Sequence, residues 1–144
     1  MIAVDTNILI YAHRRDSGWH ERANSCLLSL ANGRSRWAIV WSCIHEFLSI
    51  TTNHKIYAPA STVEEAIAQV AAWMTSPGLQ LIGEQDAHWD ILKQLLIAGR
   101  ITGGRVHDAR IAAICLQHGV SELWTADRDF SLFPALKTRN PLVS

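Results

Sequence analysis

The residues in this chain best placed to do chemistry are acids. Asp5 closes the apolar run Ile2-Ala3-Val4, a place hostile to a charge unless something compensates it. Glu46 sits between Ile44 and the Phe47-Leu48 pair, near an apolar stripe. Asp108 opens an Ala-rich stretch, and Asp127 and Asp129 lie two residues apart in Thr125-Ala126-Asp127-Arg128-Asp129-Phe130. Carboxylates gathered at one place repel strongly unless a cation joins them. Hard oxygen ligands select Mg²⁺ or Mn²⁺ over zinc, and an ion held this way typically serves phosphate chemistry.

Each acid also has a plainer reading. Asp5 can cap a following helix, Glu46 can be a solvated helical acid, and Asp108 can complement the positive end of its helix. Asp127 and Asp129 can be turn formers. The joint pattern is harder to dismiss than any member, and other chemistries lack their residues. His45-Glu46-Phe47-Leu48-Ser49 has no second histidine for a zinc protease motif. There is no P-loop, no nucleophile elbow and no dinucleotide fingerprint, and Gly99 to Gly104 fits none of them.

The elements that must position these acids read as strands alternating with helices. Ile2 to Val4, Trp37 to Trp41, Leu79 to Ile82 and Leu123 to Thr125 are expected strands, with a short fifth near Lys137 to Arg139. Helices are expected over Asn7 to His13, after Ser17, after a Ser42 cap, over Asp86 to Ala98, and over Arg105 to His118 with Gly119 as its stop. The sharpest helix signal pairs Ser61 with Glu64 as a capping box, ahead of a stripe of Val63, Ile67, Val70, Ala71 and Met74. That stripe is expected to be core or a partner groove. The alternation points to an α/β sandwich with a central parallel sheet covered on both faces. Ligands gather at the carboxyl ends of such strands, where most of the acids fall.

Composition narrows the class. Apolar residues are 49% and charged residues 18% of 144, which excludes disorder and suits one domain over residues 1–144. Thirteen Lys and Arg balance thirteen Asp and Glu, so a polycationic coat is excluded. Cys26, Cys43 and Cys115 are odd in number and far apart, which fits a reducing compartment. The amino-terminal charge order is the reverse of a signal peptide, and the longest uncharged stretch, Ala66 to Gly83, is broken by Ser76-Pro77-Gly78. The expected setting is the cytoplasm.

Taken together, Val4-Asp5-Thr6-Asn7, Glu46, Asp108 and the closing Thr125 to Phe130 run resemble the PIN domains, and more closely the VapC-type ribonuclease toxins of VapBC toxin–antitoxin modules. The resemblance covers essentially the whole chain. It implies a three-layer α/β/α fold and a Mg²⁺- or Mn²⁺-dependent endoribonuclease that cleaves RNA by metal-activated water. It matches Asp5 and Asp108 to principal metal ligands, Glu46 to a third acid and Asp127 to a fourth. It makes Asn7 and Thr125 supports of the cluster, and Asp129 either a further support behind the ligands or a structural residue, with Phe130 packed beneath. A VapB-type antitoxin and a homodimer are the implied partners. A housekeeping RNA-processing PIN nuclease and a noncatalytic metal- or RNA-binding module are the competing readings.

Arg14, Arg15, Arg105, Arg110 and Arg128 flank the acidic elements. Arg105 is the best candidate for a phosphate contact, Arg110 a weaker one, and Arg14 and Arg15 read as solvated charges. Trp37, Trp41 and Trp124 are expected in the core, while some of Trp19, Trp73 and Trp89 are candidates for an interface.

Overall fold

The computed structural model describes residues 1–143. Five strands form one sheet: β1 (Ile2–Val4), β2 (Trp37–Val40), β3 (Leu79–Ile82), β4 (Glu122–Trp124) and β5 (Thr138–Arg139). Their order is β3-β2-β1-β4-β5 and every pairing is parallel. Ile2 sits opposite both Trp37 and Glu122, and Val4 opposite Trp124. The central strands are short and almost wholly apolar because both faces are covered, so they need no alternation.

Six helices cover the sheet: α1 (Thr6–His13), α2 (His20–Ala31), α3 (Trp41–Thr51), α4 (Val63–Met74), α5 (His88–Gly99) and α6 (Arg105–Gln117). α1 packs on α2 and α3, α3 on α4, and α5 on α6, while β2 touches both α3 and α6. The result is the expected three-layer α/β/α sandwich. The chain moves outward through β2 and β3 on one side of β1, then returns to β4 and β5 on the other. Strand order therefore reverses at β1, which makes the carboxyl end of β1 and β4 the crevice of the sheet.

Several local expectations shift, each for a packing reason. The capping box is Thr62 with Glu65, not Ser61 with Glu64. Glu65 N–H donates to Thr62 Oγ1 and Thr62 N–H to Glu65 Oε1, both at 3.0 Å. Both pairs satisfy the same spacing, but Ser61 is buried and its hydroxyl is engaged with His13 Nε2 at 2.8 Å. Thr62→Ala should therefore cost about 1 kcal/mol of stability, read as a lower urea midpoint, and Ser61→Ala should leave the helix start intact.

The α4 stripe is also displaced. Ala66, Val70 and Trp73 are buried, whereas Val63, Ile67 and Met74 are exposed. Trp73 meets Phe47 edge-on at 5.0 Å, and the larger aromatic surface decides which face turns inward. Ser42 does not cap α3, because that helix already starts at Trp41, and the Ser42 hydroxyl is buried without a partner. The second helix begins at His20 rather than just after Ser17, whose hydroxyl instead accepts Trp19 N–H at 3.1 Å.

Trp37, Trp73 and Trp124 lie in the core, but Trp41 is exposed and stacks on His45. α5 turns His88, Ile91, Leu92, Leu95 and Leu96 inward as expected, yet none is fully buried. Arg14 is not a solvated charge. It is buried, pairs with Asp16 at 2.6 Å and lies over the Tyr57 ring at 4.2 Å. Arg15 is exposed, as expected. Among the described residues, no helix is long and apolar enough to cross a membrane.

Candidate active site

Asp5 follows β1 directly, and its backbone N–H extends the β1–β4 ladder by donating to Trp124 O at 2.9 Å. Its Oδ1 accepts Thr6 N–H at 2.8 Å, so Asp5 does cap α1. Its Oδ2 accepts the Thr125 hydroxyl at 2.8 Å, and the Cys43 thiol donates weakly to Oδ1 at 3.7 Å. The carboxyl is 6% exposed. Burial pushes its pKa up, the Thr125 and Thr6 hydrogen bonds pull it back, and the Glu46 charge adds to the rise. Cys43 is held as a neutral thiol, mainly by burial and then by the Asp5 charge.

Thr125 lies just beyond β4 and joins three chain segments through one hydroxyl. That oxygen donates to Asp5 and accepts from Asn7 Nδ2 at 3.3 Å and from Asp127 N–H at 3.0 Å. Asn7 returns the link by accepting Ala126 N–H at 3.2 Å. The start of α1 is thereby tied to the loop after β4. Asp127 Oδ1 then accepts Asp129 N–H at 2.8 Å and opens the 3₁₀ turn Arg128–Leu132. Phe130 is buried beneath that turn against Phe133.

Asp108 stands in the first turn of α6, facing this loop. Carboxylate oxygens of Asp108, Asp127 and Asp129 lie within 4.8 Å of one another. The Asp108 pKa is pushed up to about 6 by desolvation first, then by the charges of Asp127, Asp5, Asp129 and Glu46. All five acids thus act on one point. Asp5 is buried, and Glu46 is exposed rather than close to the core. Asp129, expected either to support the ligands or to be structural, has a carboxylate oxygen inside this trio. The signal for it was already present, since two acids on either side of a single residue at a turn can point to the same side. Cys43 had no signal, because a lone cysteine on an apolar helix reads as core.

The nearest cation is Arg105, 3.9 Å from Asp129 with both side chains half exposed. Such a pair does little to offset the repulsion. Arg110 is engaged elsewhere, 2.9 Å from Glu84. A set of oxygen donors this close, this short of cations and with the pKa of one member raised by its neighbours fits a hard divalent ion.

The same electrostatics give a pH prediction in metal-free buffer. The Asp108 carboxyl titrates near 6 when folded and near its ordinary 3.8 when unfolded, so the folded state favours its protonated form. This contribution to stability is complete below 3.8 and is lost as pH rises through 6. In EDTA, Asp108→Asn should raise Tm at pH 7.5 by about 3 °C, roughly 1 kcal/mol after solvent screening, and by nothing near pH 4. Melts that differ equally at both pH values would refute the assignment of strain to this cluster.

A parallel sheet whose strand order reverses at β1, with acids from separate chain segments drawn together beside that reversal, defines an α/β class of protein with an acidic crevice. The PIN domain model matches residues 2–136, and the chain belongs to that family. Within it, the chain groups with VapC ribonucleases. It is 30% identical over 142 residues to Ribonuclease VapC43 of Mycobacterium tuberculosis, covering 99% of this chain and 96% of the relative. It is equally similar to Ribonuclease VapC33 of the same species, covering 99% of both chains. Among solved structures it resembles Rickettsia felis VapBC2 bound to a promoter DNA fragment, with a TM-score of 0.69 at 19% identity over 96% of this chain and 98% of that one. It also resembles Mycobacterium tuberculosis VapC20, a toxin that cleaves the sarcin-ricin loop, with a TM-score of 0.67 at 15% identity over 91% and 93% of the two chains.

Proposed function

We propose that this chain is a Mg²⁺- or Mn²⁺-dependent endoribonuclease, the toxin of a VapBC-type module, working in the cytoplasm under control of a VapB-type antitoxin. The observation that carries the proposal is the convergence of Asp5, Glu46, Asp108, Asp127 and Asp129 on the crevice, with the Asp108 carboxyl raised to about 6 by its neighbours. The curated relatives named as VapC ribonucleases supply the substrate class, and solved VapBC complexes of the same fold supply the partner class. A homodimer follows from the same kinship, and residues 1–144 act as one nuclease domain.

The residues that would hold the ion are Asp5, Asp108 and Asp127; Asp129, whose carboxylate lies with those of Asp108 and Asp127, would join them, and Glu46 would act on the same ion or its water. When bound, the ion lowers the pKa of water and offsets charge developing on phosphoryl oxygens. The protein does the positioning. Thr6 N–H and the Thr125 hydroxyl fix both oxygens of Asp5, and Asn7 locks α1 to the loop that carries Asp127. Glu46, an exposed acid whose charge is felt at Asp5 and Asp108, would contact the ion or its water. Arg105 lines the neighbouring cleft and can receive an RNA phosphate, with Arg110 further along the same helix. Hydrolysis by water leaves a 5′-phosphate and needs no 2′-hydroxyl.

The test is cleavage of a defined RNA by the purified chain with Mg²⁺, with Mn²⁺ and with EDTA, followed by mapping of new 5′ ends. New 5′-phosphates that depend on the metal and vanish when the antitoxin is added support the proposal. Cleavage that persists in EDTA, or that leaves 5′-hydroxyls, overturns it. Activity of the metal-loaded protein should fall as pH drops toward 6, because protons then compete with the ion for Asp108.

A further inference from the structure

The link between α5 and α6, from Arg100 to Gly104, forms one wall of a cleft of about 470 Å³ that opens beside Asp108 and Asp129. That volume suits a nucleotide-sized group. The link begins with an unusual exchange of residues. At the end of α5, Arg100 N–H donates to Ile97 O at 3.3 Å and Ile101 N–H to Leu96 O at 2.9 Å. Helices that end this way place glycine at the left-handed position. Here that position, φ 50° and ψ 48°, is held by Arg100, the one non-glycine with positive φ among the described residues. The glycine comes one residue earlier, where a Cβ would lie 2.8 Å from Ile101 Cδ1.

An arginine at this position works against the fold, since L-residues with a Cβ are disfavoured there. It does not stabilise the helix end through its side chain either. Arg100 is exposed and takes part in none of the ion pairs found among the described residues. Arg105, on the same cleft, is held only by its long, half-exposed contact with Asp129. Two guanidinium groups therefore border the acid cluster without strong partners of their own. Guanidinium is suited to bidentate contact with phosphate, and a flexible exposed pair can turn to meet one.

We propose that Arg100 and Arg105 form a phosphate-binding subsite for single-stranded RNA. They would hold a backbone phosphate flanking the bond that is cut. This rests on the nuclease reading of the acid cluster and adds to it a residue, Arg100, whose function explains its backbone position. Arg105 and Arg100 bind and orient the strand, and neither touches the reacting atoms.

The test uses full-length protein carrying Asp5→Asn, so that RNA stays intact, and measures binding of a single-stranded RNA by fluorescence anisotropy over a range of NaCl. Adding Arg100→Gly or Arg105→Gln should weaken binding about five- to tenfold and lower the slope of log K against log salt by about 0.7 each. Arg100→Lys should keep the slope. Arg36→Gln, an exposed arginine before β2 on the amino side of the sheet, should change neither quantity. Arg100→Gly should also keep or raise Tm, because glycine relieves the left-handed strain, whereas a structural arginine would leave Tm lower when removed.

An unchanged slope in Arg100→Gly overturns the subsite. So does a loss of binding accompanied by a lower Tm, or a loss of antitoxin binding with RNA binding intact. If the Asp5→Asn parent binds no RNA and the wild type cuts none, the nuclease reading itself has failed. If the parent binds normally and Arg100→Gly matches it, only the subsite has.

Discussion

Asp5→Asn should abolish RNA cleavage, by a factor of about 10³ or more, while leaving the fold in place. Stabilisation of transition-state charge in such sites is worth several kcal/mol, and each 1.36 kcal/mol is about tenfold in rate. Asparagine keeps the side-chain shape, and its one oxygen can still accept Thr6 N–H; it loses the Thr125 hydrogen bond, since that hydroxyl already accepts from Asn7 and Asp127, but it also loses the cost of burying a charge. What it removes is the negative charge at the floor of the crevice. The buried carboxyl already carries a raised pKa, so losing its charge should not lower Tm. Mapping 5′ ends after expression of wild type and variant, beside thermal melts of both, checks the two halves separately. A folded variant that cuts as well as wild type would remove Asp5 from the active site.

Thr125→Val should damage stability and activity together. The two side chains have nearly the same shape, so packing is preserved and only the hydroxyl is lost. That hydroxyl serves Asp5 Oδ2 in a buried setting, and Asn7 Nδ2 and Asp127 N–H in a part-buried one. Removing it leaves a buried carboxylate oxygen and a backbone N–H without partners, each costing about 1–3 kcal/mol. The expected total is about 3 kcal/mol, or roughly 10 °C in Tm, a large fraction of a typical folding free energy. Cleavage should fall about 10²-fold even below the melting range, because Asp5 and the Asp127 loop lose their common anchor. Thr125→Ser should restore most of both. If Tm stays level in Thr125→Val while activity falls, the hydroxyl acts on the reaction and not on the scaffold.

Much of this molecule was legible before folding. The order of strands and helices follows from apolar runs such as Ile2 to Val4 and Trp37 to Val40, and a parallel sheet follows from that order. The acids at the strand ends were visible too, because a charge closing an apolar run stands out locally. Periodicity could not choose between equivalent local solutions. Ser61-Glu64 and Thr62-Glu65 have the same spacing, and only the contact of Ser61 with His13, 48 residues away, decides between them. The two apolar faces of α4 are alike in sequence, and Trp73 meeting Phe47 selects one.

The sequence on its own determined the kind of atoms available at the site and the strand ends that would present them, since side-chain chemistry and strand pattern are local properties. Only the tertiary structure decided which acids meet. Asp129 joins Asp108 and Asp127 because a 3₁₀ turn bends it there, Asp5 stays buried because β1 is central, and Arg110 turns to Glu84. The physical reason is distance. Carboxylates repel or bind an ion according to separations of a few ångströms, and those separations are set by contacts between residues more than a hundred positions apart, such as Asp5 with Thr125.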